Sequence, residues 1–567
     1  MLRRLLFPLA VVLLLGQMAF AMVTTAVEQS PTIDEPVYVS TAEVYRQQHI
    51  VLYNPEHPPL AKLVMAAGLA FTHAKLDPGF RGNQTQLGRH LLYETGNNPF
   101  RLMLAARLPM IVLTLLFGLV VFFFARDLAG RWAGLMALAL YAFSPDVIAH
   151  GSLATLDVPA AGLLLTTFWM LWRSRERPGL YLPLAGVALG ASLATRMSAL
   201  PAIPMVLLLV LLSPAPWVLR RLGGAVRSSG GVAESGQVVP SGGRLRAAVA
   251  RVRSGAGWRE FGLRVVAAIG VGIIAAAVVW VVYLAVDPRL RWTTPAGLPH
   301  PGGLRGLAVD LLPLPKAYRD GVLIQFKFES ETFNGFLLGR AYQGSLWYYL
   351  PVALLIKMPL GMLALWVIGT LTLLAKRTLR VASLYLIAPA AVLMLVAMTG
   401  ARDYGTRYVI FMPMFFAIVA STVVLTRVAW VKVAAVLLVV FVAVSSVRTF
   451  PYYLPYSNEA FGGTANTHNN LHDANVDWGQ DLARLATHLR QRYPGQPVWL
   501  SYKGSGVPGY YGIHAKNPTS VPIDQVHGLL VVSDSRVALA SGRLKQLIDT
   551  STPIDEVGYS ITIYRRP

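Results

Sequence analysis

Runs of apolar residues long enough, or nearly so, to cross the roughly 30 Å hydrocarbon core of a bilayer are the feature that most restricts this chain. They fall at residues 5–23, 102–125, 132–149, 157–172, 179–195, 198–213, 265–286, 346–374, 381–398, 407–426 and 430–447. Lipid offers no partner to backbone N–H and C=O groups, so such runs predict helices that satisfy themselves internally. The expected architecture is an all-α polytopic membrane protein with about eleven spans. Charged residues agree with this, because they make up 14% of the 567 residues where soluble domains carry about 25%.

The net charge of +22 would suit a nucleic-acid binder if the basic residues were clustered on one surface. Instead they sit on alternate loops: Arg3 and Arg4; Arg126 and Arg131; Arg173, Arg175 and Arg177; the stretch 214–264; Lys376, Arg377 and Arg380; Arg427 and Lys432. Lys and Arg concentrate in short cytoplasmic loops, so the pattern predicts a plasma (inner) membrane protein with a cytoplasmic N-terminus and an extracytoplasmic C-terminus. No nucleic-acid partner is expected. The first run also fits a cleaved signal peptide, with two arginines before it and Ala19-Phe20-Ala21 within it. Absence of cysteine excludes disulfides and thiolate metal sites.

Residues 1–447 are therefore read as a transmembrane domain with external loops 24–101 and 287–345 and a cytoplasmic loop 214–264. Its Gly, Ser and Arg-rich part, 223–257, has the composition of a flexible segment. Residues 448–567 lose the long apolar runs and gain short strand-like pieces starting at 498, 528 and 560. Leu482, Leu485, Ala486 and Leu489 share one helical face. A small extracytoplasmic α/β domain is predicted there.

Several charges remain that orientation does not explain. Asp34 and Glu35 form an acidic pair just outside the first run, in PTIDEPVY. NPEHPPLAK places His57 and Lys62 at the start of an apolar helix, where a lysine either snorkels or needs a partner. Asp157 opens the fourth run, where the helix macrodipole favours a carboxylate and where function is the competing account. Arg196 lies in a very short external turn, the wrong side for an orientation signal, and an anionic phosphate is a natural partner for its fork of donors. Arg402, Arg407 and Tyr408 in GARDYGTRY share that logic. Lys357, within the eighth run, fits pairing with a carboxylate inside the bundle.

Taken together, the Asp-Glu pair, HPPLAK, LDVPA, IKMPLG, TRY and the tail NVDWGQDL with GYYG resemble the C-type membrane glycosyltransferases, in particular bacterial relatives of the protein O-mannosyltransferases. The resemblance covers nearly the whole chain and departs from the family in the long Gly/Ser/Arg insertion. It implies transfer of a sugar from a polyprenyl-phosphate carrier to an acceptor hydroxyl on the outer face, with inversion at the anomeric carbon. By this similarity Asp34 matches the catalytic acidic position, and Glu35 and Asp157 match flanking acidic motifs. An acceptor hydroxyl must lose its proton as the new bond forms, which suits a carboxylate base. Lys62, Arg196 and Arg407 are the candidate cations for the departing phosphate, with His57 and Tyr408 in support. A divalent metal, Mg or Mn, held by Asp34, Glu35 or Asp157 is a further expectation.

Mannose and a protein Ser or Thr head the expected substrates; a pentose, or a lipid or cell-wall polymer acceptor, comes second. Two other classes compete. A secondary transporter would also carry intramembrane charges, but the span pattern shows no repeated halves and the acids cluster at the external surface. A non-catalytic anchor for residues 448–567 would have no reason to gather Asp34, His57, Asp157 and Arg196 on one side.

Overall fold

A computed structural model describes residues 2–212 and 256–567. Residues 223–255 of the insertion and most of the 214–264 loop lie outside the described residues, and the helix Ala256–Val286 occupies the end of that stretch.

Every apolar run in the described residues is helical, but the runs do not translate one for one into straight spans. Among the described residues, five helices are long and apolar enough to cross a membrane: Leu6–Glu28, Pro99–Ala129, Trp258–Val286, Arg380–Ala397 and Ala429–Thr449. Two expected spans are instead bent pairs. The run 346–374 divides into Tyr349–Lys357 and Leu360–Ala375, inclined by 113°, and the run 132–149 into Arg131–Ala142 and Pro145–Gly151, inclined by 64°. Proline explains both bends. It pushes the residue before it out of the helical region, and Met358 and Ser144 accordingly adopt ψ of 135° and 113°. Counting each bent pair as one span gives seven. The helices Pro178–Leu193 and Phe411–Ser421, with 16 and 11 residues, are about 24 and 17 Å long at about 1.5 Å per residue, shorter than the hydrocarbon core.

Small residues let the bundle close. Helices Pro178–Leu193 and Ala256–Val286 approach so tightly that a Cβ at Gly190 would come within 2.5 Å of the Ala275 carbonyl oxygen, the packing that small residues permit between membrane helices. One large apolar cluster runs through the bundle, from Met18 and Met22 on the first helix to Phe415 and Ile418.

The expected external stretch 287–345 is not loop alone. It contains the helices Gly303–Leu311 and Lys316–Glu329 and an antiparallel hairpin of β1 (Asn334–Leu337) and β2 (Arg340–Gln343). Beyond Thr449 the chain builds the α/β unit. Its strands are β3 (Val498–Ser501), β4 (Ala515–Lys516), β5 (Gly528–Ser533), β6 (Thr552–Val557) and β7 (Ile561–Arg566), in the order β4-β3-β5-β7-β6. β3 is parallel to β4 and β5, whereas β7 is antiparallel to both β5 and β6. Alternation along β5 divides its side chains between two faces. Leu529 and Val531 pack with Leu482, Leu485, Ala486 and Leu489 of helix Leu482–Arg492, as the periodicity predicts. Leu530 and Val532 pack on the other side with Leu547.

This unit is stitched to the C-terminal end of the first helix. Ser30 donates its backbone N–H and its hydroxyl to the Gln480 carbonyl, at 2.9 and 2.8 Å, and its hydroxyl accepts from the Leu482 N–H at 3.0 Å. Ile33 donates to the Trp478 carbonyl at 3.0 Å, and the Ser505 hydroxyl donates to the Ile33 carbonyl at 2.7 Å. Residue 34 is thus presented from a backbone clamped on both sides.

Candidate active site

Asp34 caps the helix Glu35–Gln48, which opens with Pro36 in its first turn, where proline's fixed φ costs nothing. Its carboxylate accepts a hydrogen bond from Arg407 Nη1 at 2.6 Å and remains 28% exposed. Arg407 comes from the short turn Thr406–Val409, more than 370 residues on. Its guanidinium stacks on Trp478 at 4.4 Å and lies against Tyr408 at 5.1 Å. Nε of Arg407 is buried and has no hydrogen-bond partner among the described residues. An unused donor on a buried guanidinium is costly unless a ligand completes it.

The second arginine arrives from the opposite direction. Arg196, in the turn between Pro178–Leu193 and the next apolar helix, pairs with Asp157 at the start of helix Asp157–Ser174. Its guanidinium lies 5.5 Å from the Tyr408 ring, so that ring is shared by both arginines. Asp34, Asp157, Arg196, Arg407 and Tyr408 therefore form one constellation. His57 borders it through an edge contact with Tyr38 at 5.8 Å. Burial, together with the charges of Arg196, Lys62, Arg402 and Arg407, pushes the pKa of His57 well below the ordinary histidine value. It is held neutral, so its positive charge does not add to the arginines.

Two expected site residues are used differently. Glu35 is wholly buried, and both oxygens are occupied: Arg107 Nε and Nη2 donate at 2.7 and 2.6 Å, the Thr32 N–H and hydroxyl at 2.9 and 3.0 Å, and the Ala154 N–H at 2.8 Å. Burial alone would raise its pKa, but Arg107 and these donors bring it below the ordinary value. Arg107 in turn donates to the Ala26, Gln29 and Ser30 carbonyls. Glu35 thus ties four segments together beside Asp34 and offers no free lone pair in reach of a ligand. Lys62 is likewise buried, with its ammonium donating to Asn54 O, Asn54 Oδ1 and His57 O at 3.1, 3.0 and 2.7 Å. All three of its protons are spent on bracing the NPEHPP loop, so it presents none to a phosphate.

The expected metal ligands do not fit a shared ion. Asp34, Glu35 and Asp157 are each neutralised by a different arginine. Among the described residues, the one place where three metal-ligating side chains converge lies elsewhere, in the C-terminal sheet. No catalytic step is routed through a metal here.

Lys357 finds the carboxylate its position demanded. It pairs with Asp146 at 3.3 Å and donates to the Leu454 and Asn475 carbonyls at 2.5 and 3.1 Å. Asp146 also accepts from the Thr406 hydroxyl at 2.6 Å, and Asn475 Oδ1 accepts from the Thr406 N–H at 3.0 Å. The buried pair thereby fixes the turn that carries Arg407. Arg402 is engaged by Gln325 at 3.1 Å and by Phe328.

Arg107, Asp146 and Trp478 are the residues that the sequence reading passed over as parts of the site. The first two left a signal, since each is a lone charge inside an apolar run. Trp478 stood in DWGQDL, but nothing local marks it as the stacking partner of Arg407.

Comparison with known proteins bears on this arrangement. Residues 100–224 match the family model described as dolichyl-phosphate-mannose-protein mannosyltransferase, in line with the resemblance read from the motifs. No curated protein matches the chain. Among solved structures, ArnT from Cupriavidus metallidurans in the apo state is 14% identical, with 98% of this chain and 97% of that chain covered and a TM-score of 0.45. The same protein bound to undecaprenyl phosphate is 13% identical, with the same coverage and a TM-score of 0.42. The S. cerevisiae Pmt1-Pmt2 protein O-mannosyltransferase complex bound to the sugar donor is 15% identical over 49% of this chain and 32% of that one, with a TM-score of 0.29.

Proposed function

We propose that this chain is a membrane glycosyltransferase that moves a sugar from a polyprenyl-phosphate carrier to an acceptor hydroxyl on the outer face of the membrane. The observation that carries the reading is the pairing of a partly exposed carboxylate, Asp34, with Arg407, an 11% exposed arginine whose buried Nε has no partner among the described residues. The family match over residues 100–224 and the lipid-phosphate ligand of ArnT support the donor class.

In this mechanism the donor phosphate takes up the spare donors of Arg407 and draws Arg196 toward it. Sharing Arg407 with the phosphate relieves Asp34 of part of its ion pair and leaves its carboxylate open to the acceptor hydroxyl. Asp34 then accepts the acceptor's hydroxyl proton as the oxygen attacks the anomeric carbon from the face opposite the phosphate. The bond to the phosphate oxygen breaks, its electron pair leaves with the polyprenyl phosphate, and the configuration inverts. Charge growing on that oxygen is met by the two guanidiniums, which are fixed in place before the reaction by their carboxylate partners. One base suffices for a single displacement. Asp157 holds Arg196, Glu35 and Lys62 hold the loops on either side, and Tyr408 spaces the two cations.

Mannose and protein Ser or Thr are the first substrates to test, followed by a pentose and by lipid or cell-wall acceptors. Membranes containing the chain, supplied with labelled polyprenyl-phosphate sugar, should incorporate label into one of these fractions. Asp34→Asn should abolish it, and a nucleotide sugar without lipid carrier should not replace the donor. Efficient transfer from that soluble donor would overturn the mechanism. With a cytoplasmic N-terminus, a tag after Pro567 is accessible from outside the cell; its protection there would strand Asp34 away from an external donor.

A further inference from the structure

The C-terminal sheet holds a cluster of ligating groups that sugar transfer leaves unused. Three segments meet there: the turn Thr464–Asn469 brings His468, the helix Asp534–Ala538 opens with Asp534, and β6 brings Glu556. Register explains the meeting. Thr562 on β7, which lies between β5 and β6, pairs with Val532 of β5 on one side and with Glu556 of β6 on the other, and Asp534 follows β5 directly. One ligand atom from each of the three residues lies within 4.8 Å of the others, with His468 Nδ1 and Glu556 Oε1 at 4.0 Å.

Among the described residues these atoms are left without partners. Asp534 is 3% exposed, and the Thr562 hydroxyl donates to its Oδ1 at 2.7 Å, while Oδ2 has no hydrogen bond. His468 Nδ1 and Glu556 Oε1 are also buried and unbonded. Among the described residues no lysine or arginine forms an ion pair with either carboxylate. Asp555, the neighbour of Glu556 on β6, is by contrast bonded to His488 and Tyr493. A buried carboxylate, Asp534, and a partly exposed one, Glu556, with no cation between them repel each other, and Asp534 pays desolvation besides. A dication answers both costs.

We propose that His468, Asp534 and Glu556 form a binding site for a divalent transition-metal ion, Zn²⁺ by its ligand chemistry, separate from the Asp34 site. An imidazole nitrogen in the set disfavours Mg²⁺ and Ca²⁺, which take oxygen ligands. Sets of this kind bind Zn²⁺ more tightly than Mn²⁺ or Fe²⁺. Zinc bonds to nitrogen and carboxylate oxygen of about 2.0–2.2 Å place tetrahedral ligands roughly 3.4 Å apart, so the ion draws His468 and Glu556 slightly together. Thr562 orients Asp534 as the outer partners of metal ligands do.

The ion has a positioning role. Ser535, next to Asp534, donates its hydroxyl to the Asp477 carbonyl at 2.9 Å and accepts from the Asp473 N–H at 2.8 Å. Fixing Asp534 fixes this segment, whose Trp478 backs Arg407.

Full-length protein, purified in detergent through a histidine-free tag and stripped with chelator, tests the site by zinc titration, elemental analysis and thermal unfolding. One zinc per chain should remain after dialysis, and added Zn²⁺ should raise Tm where equal Mg²⁺ does not. Glu556→Gln and His468→Gln should each weaken zinc binding at least tenfold and remove the Tm rise, with unchanged elution and metal-free Tm as the check on folding. Asp34→Asn should bind zinc as wild type does. Zinc well below one per chain in the wild type, retention undiminished in both cluster variants, or loss in Asp34→Asn would each overturn the proposal.

Discussion

Replacing Glu35 with glutamine, one residue from the proposed base, separates holding the site together from doing its chemistry. The glutamine keeps one acceptor oxygen but turns the other into an NH₂ group. That group faces donors: if it takes the Oε2 position it meets Arg107 Nη2, the Thr32 N–H and the Thr32 hydroxyl, and if it takes Oε1 it meets Arg107 Nε and the Ala154 N–H. Arg107 then stays buried, at 1% exposure, with its charge uncompensated. Breaking a buried ion pair in this way costs about 3–5 kcal/mol. Asp34→Asn alters a pair whose carboxylate is 28% exposed, so it should cost less than breaking the wholly buried Glu35–Arg107 pair. Loss of a general base instead lowers turnover by about 10²–10⁴-fold. The expected result is a divergence between neighbours: Glu35→Gln with poor yield and a sharply lowered thermal midpoint in detergent, Asp34→Asn with a smaller drop in midpoint and transfer lost. Acid should show the same division. Because the folded Glu35 pKa lies below its ordinary value, its contribution is present above the unfolded pKa of about 4.3 and is lost as pH falls through the folded value. Wild type should therefore lose this increment on strong acidification, and Glu35→Gln should have none to lose. A folded, stable but inactive Glu35→Gln beside an active Asp34→Asn would refute the reasoning.

Arg196→Lys keeps the charge but loses the fork, so transfer at saturating polyprenyl-phosphate sugar should fall less than transfer at limiting donor; an unchanged dependence on donor concentration would remove Arg196 from the phosphate site. Lys357→Met alone should destabilise by about 3–5 kcal/mol because Asp146 is stranded, whereas Lys357→Met with Asp146→Leu should recover part of the loss, read as thermal midpoints of the single and double variants. Ser30→Ala leaves the buried Leu482 N–H without its acceptor, at about 1–3 kcal/mol, and should raise protease sensitivity between residues 448 and 482 more than elsewhere in limited digestion.

How much was legible from the chain alone differs by kind of feature. Helices could be read at every described apolar run because the bilayer permits little else, and the face of Leu482, Leu485, Ala486 and Leu489 because a helix repeats every 3.6 residues. Bends at Pro145 and Pro359 carried a local signal too, but run length outweighed it in reading single spans. The misplaced charges Asp34, Asp157, Arg196 and Arg407 stood out because each contradicted its surroundings, and they meet in one place. Their partners did not. Nothing within reach of residues 34 and 35 says that one carboxylate stays near water while the other is sealed against Arg107, 72 residues away. Nor does a local pattern show that Lys62 spends its protons on its own loop, that Lys357 meets Asp146, or that Trp478 lies behind Arg407. A sequence period reports which residues share a face within a few turns. Which charge a buried group meets is decided only when distant segments close around it, and in a low-dielectric interior that choice determines whether a carboxylate serves as a strut or as a base.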